Sequence, residues 1–398
     1  MNAGTIIAPP PHLQPRYRYK IHDKLYDLTD FVKVHPGGQD MFNNLKPDTN
    51  ITPMIYAYHK NPRSCLAMLP KYEVPFTDDI IIQYDTNYTY DKYCELKKLV
   101  YDEIHEKKIP LHWSNKEITY NAFMLSMYLE TWTYCFYNAN NLSYWWMVLL
   151  AFMNTGICNL IFHDAAHYAG FTSTRLNNYF AMCYFPLMNT DYWKHVHNYL
   201  HHCFTNTEYD EDFNFERYGY IIRHSEKQPH MFIHRFQSIY SIAIYTVVLF
   251  NKCFIKIITQ NKTNIISLLF IFYMLGIFNS CVFYGLSSFL FVFIAQLSHI
   301  QHECVQINTK MKNDFLNNQV SSSMNYRTDD LITRLLCYSL DIQIEHHLFP
   351  NIPHSSARQI QHIVRVYCEK NDIPYIEKPS IFPTIYSYIC YLYKMGNP

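Results

Sequence analysis

The chain has 398 residues, with 33 basic and 33 acidic side chains and a formal net charge of +0. That length exceeds one ordinary domain, and the neutral balance offers no basic field to draw in a polyanion, so nucleic acid is excluded as an expected partner. Charged residues are only 17% and aromatic ones also 17%, against roughly 25% charge in soluble chains; this points to membrane contact, and a mean hydropathy of only −0.18 requires the apolar residues to be gathered into a few segments.

Residues 1–15, with Pro9, Pro10 and Pro11, read as a disordered polar tail. They lack the basic start and apolar run of a signal peptide, so this end is expected in the cytosol. Residues 16–76 alternate apolar positions with turn residues and read as a compact module. Residues 77–117 are charged and polar, a linker with a surface helix around Tyr93–Glu106. The 12 cysteines are scattered from Cys65 to Cys390 with no CxxC pair, the pattern of reduced thiols and not of a disulfide framework.

From residue 118 to the end the chain changes character. Thr131 to Phe162 carries no charge and is broken by the polar run Asn138–Ser143. This predicts a helical hairpin with arms Ile118–Tyr137 and Tyr144–Phe162, each near the ~20 residues needed to cross a bilayer core. Glu130 lies within the first arm and must face protein or water. Thr263–Ser298 is also uncharged; as one helix it would run about 54 Å, so two spans with a turn near Asn279 and Ser280 are expected. Phe236–Asn251 and Tyr179–Met188 are shorter apolar stretches, expected at the membrane interface. Four crossings then leave every histidine cluster on the membrane face of the N-terminal module.

Within that module, Tyr19 to Gly38 reads YKIHDKLYDLTDFVKVHPGG, and His59 follows 24 residues after His35. This segment resembles cytochrome b5. The resemblance implies a small α+β fold with haem b held between the axial imidazoles of His35 and His59. Pro36, Gly37 and Gly38 suit a tight turn beside a haem, where glycine permits close backbone approach. No CxxCH is present, so the haem would be held by coordination alone.

Three histidine clusters carry the chemistry of the larger part. His163 and His167 in HDAAH share one helical face at a spacing of four. The run WKHVHNYLHH contributes His197, His201 and His202 as HxxxHH, with His195 beside them. QIEHHLFPNIP contributes Gln343, His346 and His347, and His299 and His302 close the second apolar run. Imidazole suits iron, copper, zinc and nickel alike. Seven clustered histidines plus His299 or His302 exceed the needs of one tetrahedral ion and suggest two, with redox-active iron the choice beside a haem donor.

This three-cluster order resembles the membrane fatty acid desaturases, and its union with a cytochrome b5-like module and a QxxHH third cluster resembles the front-end subgroup. The resemblance spans residues 16 to about 365. It implies an α-helical integral membrane protein of about four transmembrane helices with a cytosolic di-iron domain, facing the cytosol, in the endoplasmic reticulum. Its two iron ions would be bound by His163, His167, His197, His201, His202, His299, His346 and His347, with Gln343 where other desaturases carry histidine. The substrate would be a fatty acyl chain and O2 the co-substrate, with electrons from an NAD(P)H-dependent cytochrome b5 reductase. Two departures stand out: three residues, where many members have two, precede the second HH, and His195 and His302 compete with His197 and His299. Asp164 and Glu345 are candidates to orient imidazoles or simply solvated acids. His224, His230, His234, His354 and His362 are expected in solvated or structural roles. Alternatives are a sphingolipid long-chain-base desaturase, a fatty-acyl hydroxylase, and a membrane-anchored haem electron carrier.

Overall fold

The computed structural model describes residues 17–397 apart from 44, 77–79, 183–189, 213–220, 227, 261, 305–312, 328–336 and 338–339, with backbone alone for 250–260 and 262–267. The expected tail 1–15 lies outside the described residues. The chain divides into two compact units between Asn87 and Tyr88.

In the first unit, β1 (Arg18–Ile21) and β2 (Lys24–Asp27) form an antiparallel hairpin. β3 (Thr49–Asn50) pairs parallel with β1, and β4 (Glu73–Val74) antiparallel with β2, giving the order β3-β1-β2-β4. Tyr19, Ile21 and Leu25 bury one face of the hairpin. Three short helices follow the strands: α1 (Thr29–Val32), α2 (Thr52–Tyr58) and α3 (Pro62–Ala67). Asn50 Oδ1 accepts from the backbone and the hydroxyl of Thr52, and Pro53 suits the first turn of α2. This unit runs past residue 76, because Lys20 Nζ donates to Asp85 at 2.7 Å and Asn50 Nδ2 to the Thr86 carbonyl at 2.9 Å.

The second unit is mostly helical. α4 (Asp91–Lys107) buries Tyr93, Leu96, Val100 and Ile104 at three- and four-residue spacing, so it is amphipathic, and Lys108 ends it in the left-handed region. α5 (Asn115–Tyr137) starts on a capping box in which Ser114 and Glu117 satisfy each other's backbone N–H. Glu130 is exposed beside Ser126 and Thr133, three to four residues either side, so it shares a polar stripe. α6 runs Tyr144–Ala166, and Tyr128 on α5 donates to Asn154 on α6 at 2.5 Å. α7 (Thr174–Met182) exposes Leu176, Tyr179 and Met182; the remainder of the stretch expected at the interface there is not described. α8 (Thr190–Lys194) leads into the second histidine cluster.

The stretch Phe236–Asn251, expected to be short, lies in the longer, 24-residue α9 (Gln237–Gln260). The helix continues past Lys252, because one lysine does not end a helix whose backbone bonds continue. α10 (Lys262–Leu297) breaks at Gly276, with φ 76 and ψ 164. The chain reverses there: Phe272 and Tyr284 stack with centroids 5.9 Å apart, whereas a straight helix would hold them about 18 Å apart. The expected turn is thus present but at Gly276 and not at Asn279 and Ser280, because only glycine adopts that backbone without strain. Asn279 Nδ2 instead donates to the Leu275 carbonyl at 3.0 Å and to Ala139 between α5 and α6 at 3.3 Å. Polar bonds also join α9 to α10: Tyr245 OH donates to Gln296 Oε1 at 2.8 Å, and Ser288 Oγ to the Tyr245 carbonyl at 2.5 Å.

Among the described residues, Tyr144–Ala166 and Leu268–Leu297 have the length and hydropathy of a membrane span, the latter across the reversal at Gly276. Their outer surfaces expose Trp145, Leu149, Phe270, Tyr273 and Phe278. The polar end of the unit holds α11 (Phe315–Ser321), β5 (Asn325–Tyr326), α12 (Gln343–Leu348), α13 (His354–Lys370), β6 (Glu377–Lys378, parallel to β5) and α14 (Ile381–Gly396). Both apolar segments end at the histidines.

Candidate metal centre

The helix geometry changes at the histidines. Cys158–Phe162 at the end of α6 and His195–His201 after α8 are π-helical, with i→i+5 bonding. Such wide turns cluster at functional sites. About 4.4 residues per turn bring positions five apart onto one face, and His197 Nε2 lies 3.3 Å from His202 Nε2. The additional residue in HxxxHH is absorbed by the wider turn.

Seven imidazoles from four chain segments converge there around an eighth, His202. His163, His167, His197 and His346 form one set whose ligand atoms all lie within 4.8 Å of one another, and His201, His299 and His347 form a second. His202 lies between the sets, with its ring 4.5 Å from His167, 4.7 Å from His346 and 4.4 Å from His347. His163 Nε2 is 3.1 Å from His197 Nε2. Two nitrogens about 2.1 Å from one ion in adjacent coordination places stand roughly 3.0–3.4 Å apart, so these separations fit ligands of a shared ion. Both ring nitrogens of His346, Nδ1 of His202 and Nε2 of His347 are buried without a hydrogen-bond partner. Such atoms are rare unless a water or an ion meets them.

Acceptors fix the other ring nitrogen. His197 Nδ1 donates to Asp212 at 3.0 Å, His201 Nδ1 to Asp210 at 2.9 Å, and His299 Nδ1 to the Ser322 carbonyl at 3.0 Å. His347 Nδ1 lies 3.1 Å from both Gln319 Oε1 and Thr205 Oγ1. A hydrogen on Nδ1 leaves the Nε2 lone pair for a metal, the usual support of a ligating histidine. Trp193 stacks on His197, centroids 4.3 Å apart and planes 13° apart. Burial, with neighbouring imidazoles adding to it, holds His167, His202, His346 and His347 well below the usual histidine range. They are neutral at physiological pH, the protonation state that metal binding needs.

His299 joins the second set, whereas His302 is exposed with its ring against Tyr391. His195 is buried against Tyr199 and belongs to neither set. Gln343 is buried at the start of α12, one turn before His346. Glu345 orients no imidazole in the contacts seen: it accepts from Asn325 Nδ2 at 2.7 Å and Tyr375 OH at 2.8 Å, and burial pushes its carboxyl up to about 7. Asp164 accepts from Trp113 Nε1 at 2.9 Å and contacts His354 Nδ1 at 2.5 Å. His354, expected to be solvated or structural, is buried against His346; His224 and His234 are buried elsewhere, and His362 is exposed. Sequence reasoning missed Asp210, Asp212 and Gln319; the acidic run after the second cluster was the one available signal.

Beside the first set lies a cavity of ≈ 60 Å³ with Asp212 on its wall, lined by Ile244, Val248 and Leu249 of α9 and Phe291 and Val292 of α10. In the first unit, the rings of His35 and His59 stand 6.1 Å apart. Two imidazoles each about 2 Å from a shared ion place their centres roughly 6 Å apart, so this pair fits an iron between them. Burial lowers His35 from its ordinary value. Gly37 packs so closely that a Cβ there would meet His35 Cε1 at 2.9 Å, and Gly38 turns the chain at φ 88.

The chain is 25% identical to the acyl-lipid (8-3)-desaturase of Physcomitrium patens, over 94% of this chain and 87% of that protein. It is 23% identical to the Delta(5) fatty acid desaturase A of Dictyostelium discoideum over 95% and 90%, and to the Delta(8)-fatty-acid desaturase of Borago officinalis over 89% and 85%. No solved structure matches it. A family model described as fatty acid desaturase matches residues 139–379, a stretch that contains every histidine of both sets, and the chain belongs to the fatty acid desaturase family.

Proposed function

We propose that this chain is an O2-dependent front-end acyl desaturase, an integral membrane enzyme that introduces a cis double bond into an unsaturated fatty acyl chain. The convergence of two imidazole sets at the ends of two apolar segments carries the reading. The relatives named as acyl-lipid (8-3)-, Delta(5)- and Delta(8)-desaturases favour an acyl substrate over a sphingolipid base, and a bond placed toward the carboxyl end.

In this reading His163, His167, His197, His202 and His346 hold one iron and His201, His299 and His347 the other. Iron there supplies O2 activation and the removal of hydrogen from two adjacent unactivated methylenes, with O2 leaving as water after taking up two further electrons and protons. Asp210, Asp212, Gln319 and the Ser322 carbonyl keep the imidazoles turned inward and neutral. The small apolar cavity between α9 and α10 would admit only part of an acyl chain, and Asp212 borders both it and the ligand His197.

In this reading the first unit, up to Asn87, is the cytochrome b5-like domain, and the second, from Tyr88, is the desaturase domain with α4 as its first helix. His35 and His59 would hold haem b, which would supply electrons received from a cytochrome b5 reductase. Four crossings, an endoplasmic reticulum location and a cytosolic face for haem and histidines complete it; the Asn279–Ala139 bond supports a common side for the two hairpin tips. Expression in a host poor in polyunsaturated lipid, fed defined acids, with double bonds located by mass spectrometry, tests it. New front-end double bonds that vanish in His346→Ala/His347→Ala are expected; a product spectrum identical to that of the empty host would refute it.

A further inference from the structure

His354 lies outside every motif of the sequence, yet it opens α13 at 2% exposure among the ligands. Its ring is 4.7 Å from His346, planes 20° apart, and 5.2 Å from His163. Neighbouring rings within the two sets stand at the same separations, such as 4.7 Å for His163–His346 and 5.1 Å for His163–His197. His354 Nδ1 is 2.5 Å from Asp164 Oδ1. A carboxylate only accepts, so Nδ1 carries the hydrogen and Nε2 a lone pair. That Nε2 is buried with no hydrogen-bond partner, a costly state for a polar atom unless something electron-poor meets it.

The surroundings repeat a device already seen twice. Asp164 is fixed by the Trp113 indole and in turn fixes His354, as Asp212 fixes His197 and Asp210 fixes His201. Where a carboxylate orients a buried imidazole in this unit, the imidazole's other nitrogen belongs to a ligand set in those two cases. The third cluster, meanwhile, offers an amide at Gln343 beside its two imidazoles, and an amide is a poorer ligand for a borderline metal than imidazole.

The geometry points to His354 as a further metal ligand, whose Nε2 completes the coordination of the ion held by His163 and His346. This rests on the two-iron reading. Asp164 and Trp113 are then positioning residues acting through His354.

Asparagine separates ligation from positioning. In His354→Asn the amide N–H falls where Nδ1–H stood, so Asp164 keeps its donor while the Nε2 position is emptied. In His354→Gln the amide head reaches the Nε2 position and offers oxygen in place of nitrogen. The full-length chain in detergent is stripped with chelator and titrated anaerobically with Fe(II); bound iron and the Mössbauer spectrum are read, with the thermal midpoint of the stripped protein as the folding control. Two irons in the wild type are expected, with one site in His354→Asn weakened roughly 10- to 100-fold at an unchanged midpoint. Two irons bound with wild-type affinity and spectrum in His354→Asn would overturn the proposal. If that variant fails to fold, His354→Gln decides it: an altered doublet for one site supports ligation, and an unaltered spectrum defeats it. A wild-type chain that takes up no iron would sink the two-iron reading itself, a different failure.

Discussion

His197 and His202 bring their Nε2 atoms within 3.3 Å across five positions of sequence, and the π-helical turn between them makes this contact possible. Because that turn selects which imidazoles face the centre, replacing His197 or His202 with alanine should lower double-bond formation by at least ~100-fold, of the order seen when a group acting within a catalytic unit is removed. His195→Ala, whose ring packs on Tyr199, should keep most of the activity. Product quantitation in whole cells checks this, and equal losses in all three variants would contradict the assigned register.

The carboxylates behind the imidazoles predict graded metal loss. Asp212→Asn and Asp210→Asn remove the anion from His197 and His201, and each should weaken iron binding roughly 10- to 100-fold. Asp212→Asn should affect one ion and Asp210→Asn the other. Competition with a calibrated chelator measures both.

Stability of the metal-free protein should fall as pH drops. Burial holds His167, His202, His299, His346 and His347 well below their ordinary value and brings His224 down to about 4. Below the unfolded value near 6.5 the unfolded chain takes up protons that the folded one refuses, so stability present above ~6.5 is lost progressively toward pH 4. Each such group contributes up to about 1.4 kcal/mol per pH unit in that window. Thermal midpoints of chelator-treated protein between pH 7.5 and 5 should decline steeply, and a flat profile would show that these imidazoles are not held neutral.

The first unit predicts a steric effect at one glycine. A Cβ at Gly37 meets His35 Cε1 at 2.9 Å and Nδ1 at 3.2 Å, so Gly37→Ala should displace the ring and lower haem content several-fold. His35→Ala should abolish the haem absorption and reduce desaturation while leaving iron content intact. Normal haem spectra in both variants would remove His35 from the haem site.

Much of this centre was legible in the sequence because local spacing already implied it. His163 and His167 share a helical face, His201–His202 and His346–His347 come as pairs, and hydropathy placed apolar segments before them. What stayed hidden was long-range. His354 meets Asp164 across 190 positions, and nothing local distinguishes it from a solvated histidine. The choice of His299 over His302 depends on which side of a three-residue step turns inward, which the loop after α10 decides. The turn at Gly276 was hidden differently: polarity drew attention to Asn279 and Ser280, yet both satisfy their side chains against helix carbonyls, whereas the backbone needed torsions that only glycine takes freely.

The Gly276 reversal also works as a ruler. Asn279 fastens that tip to Ala139, and the helical arm from Ile277 to Leu297 then rises about 30 Å at 1.5 Å per residue before reaching His299. This matches the thickness of a bilayer's hydrocarbon layer, so in the proposed reading a polar fastening at one boundary and the imidazoles at the other would set the depth of the chemistry by residue count. Adding or removing a turn in that arm would move His299 by about 5 Å relative to its partners, and the second ligand set would lose its register before the membrane lost its anchor.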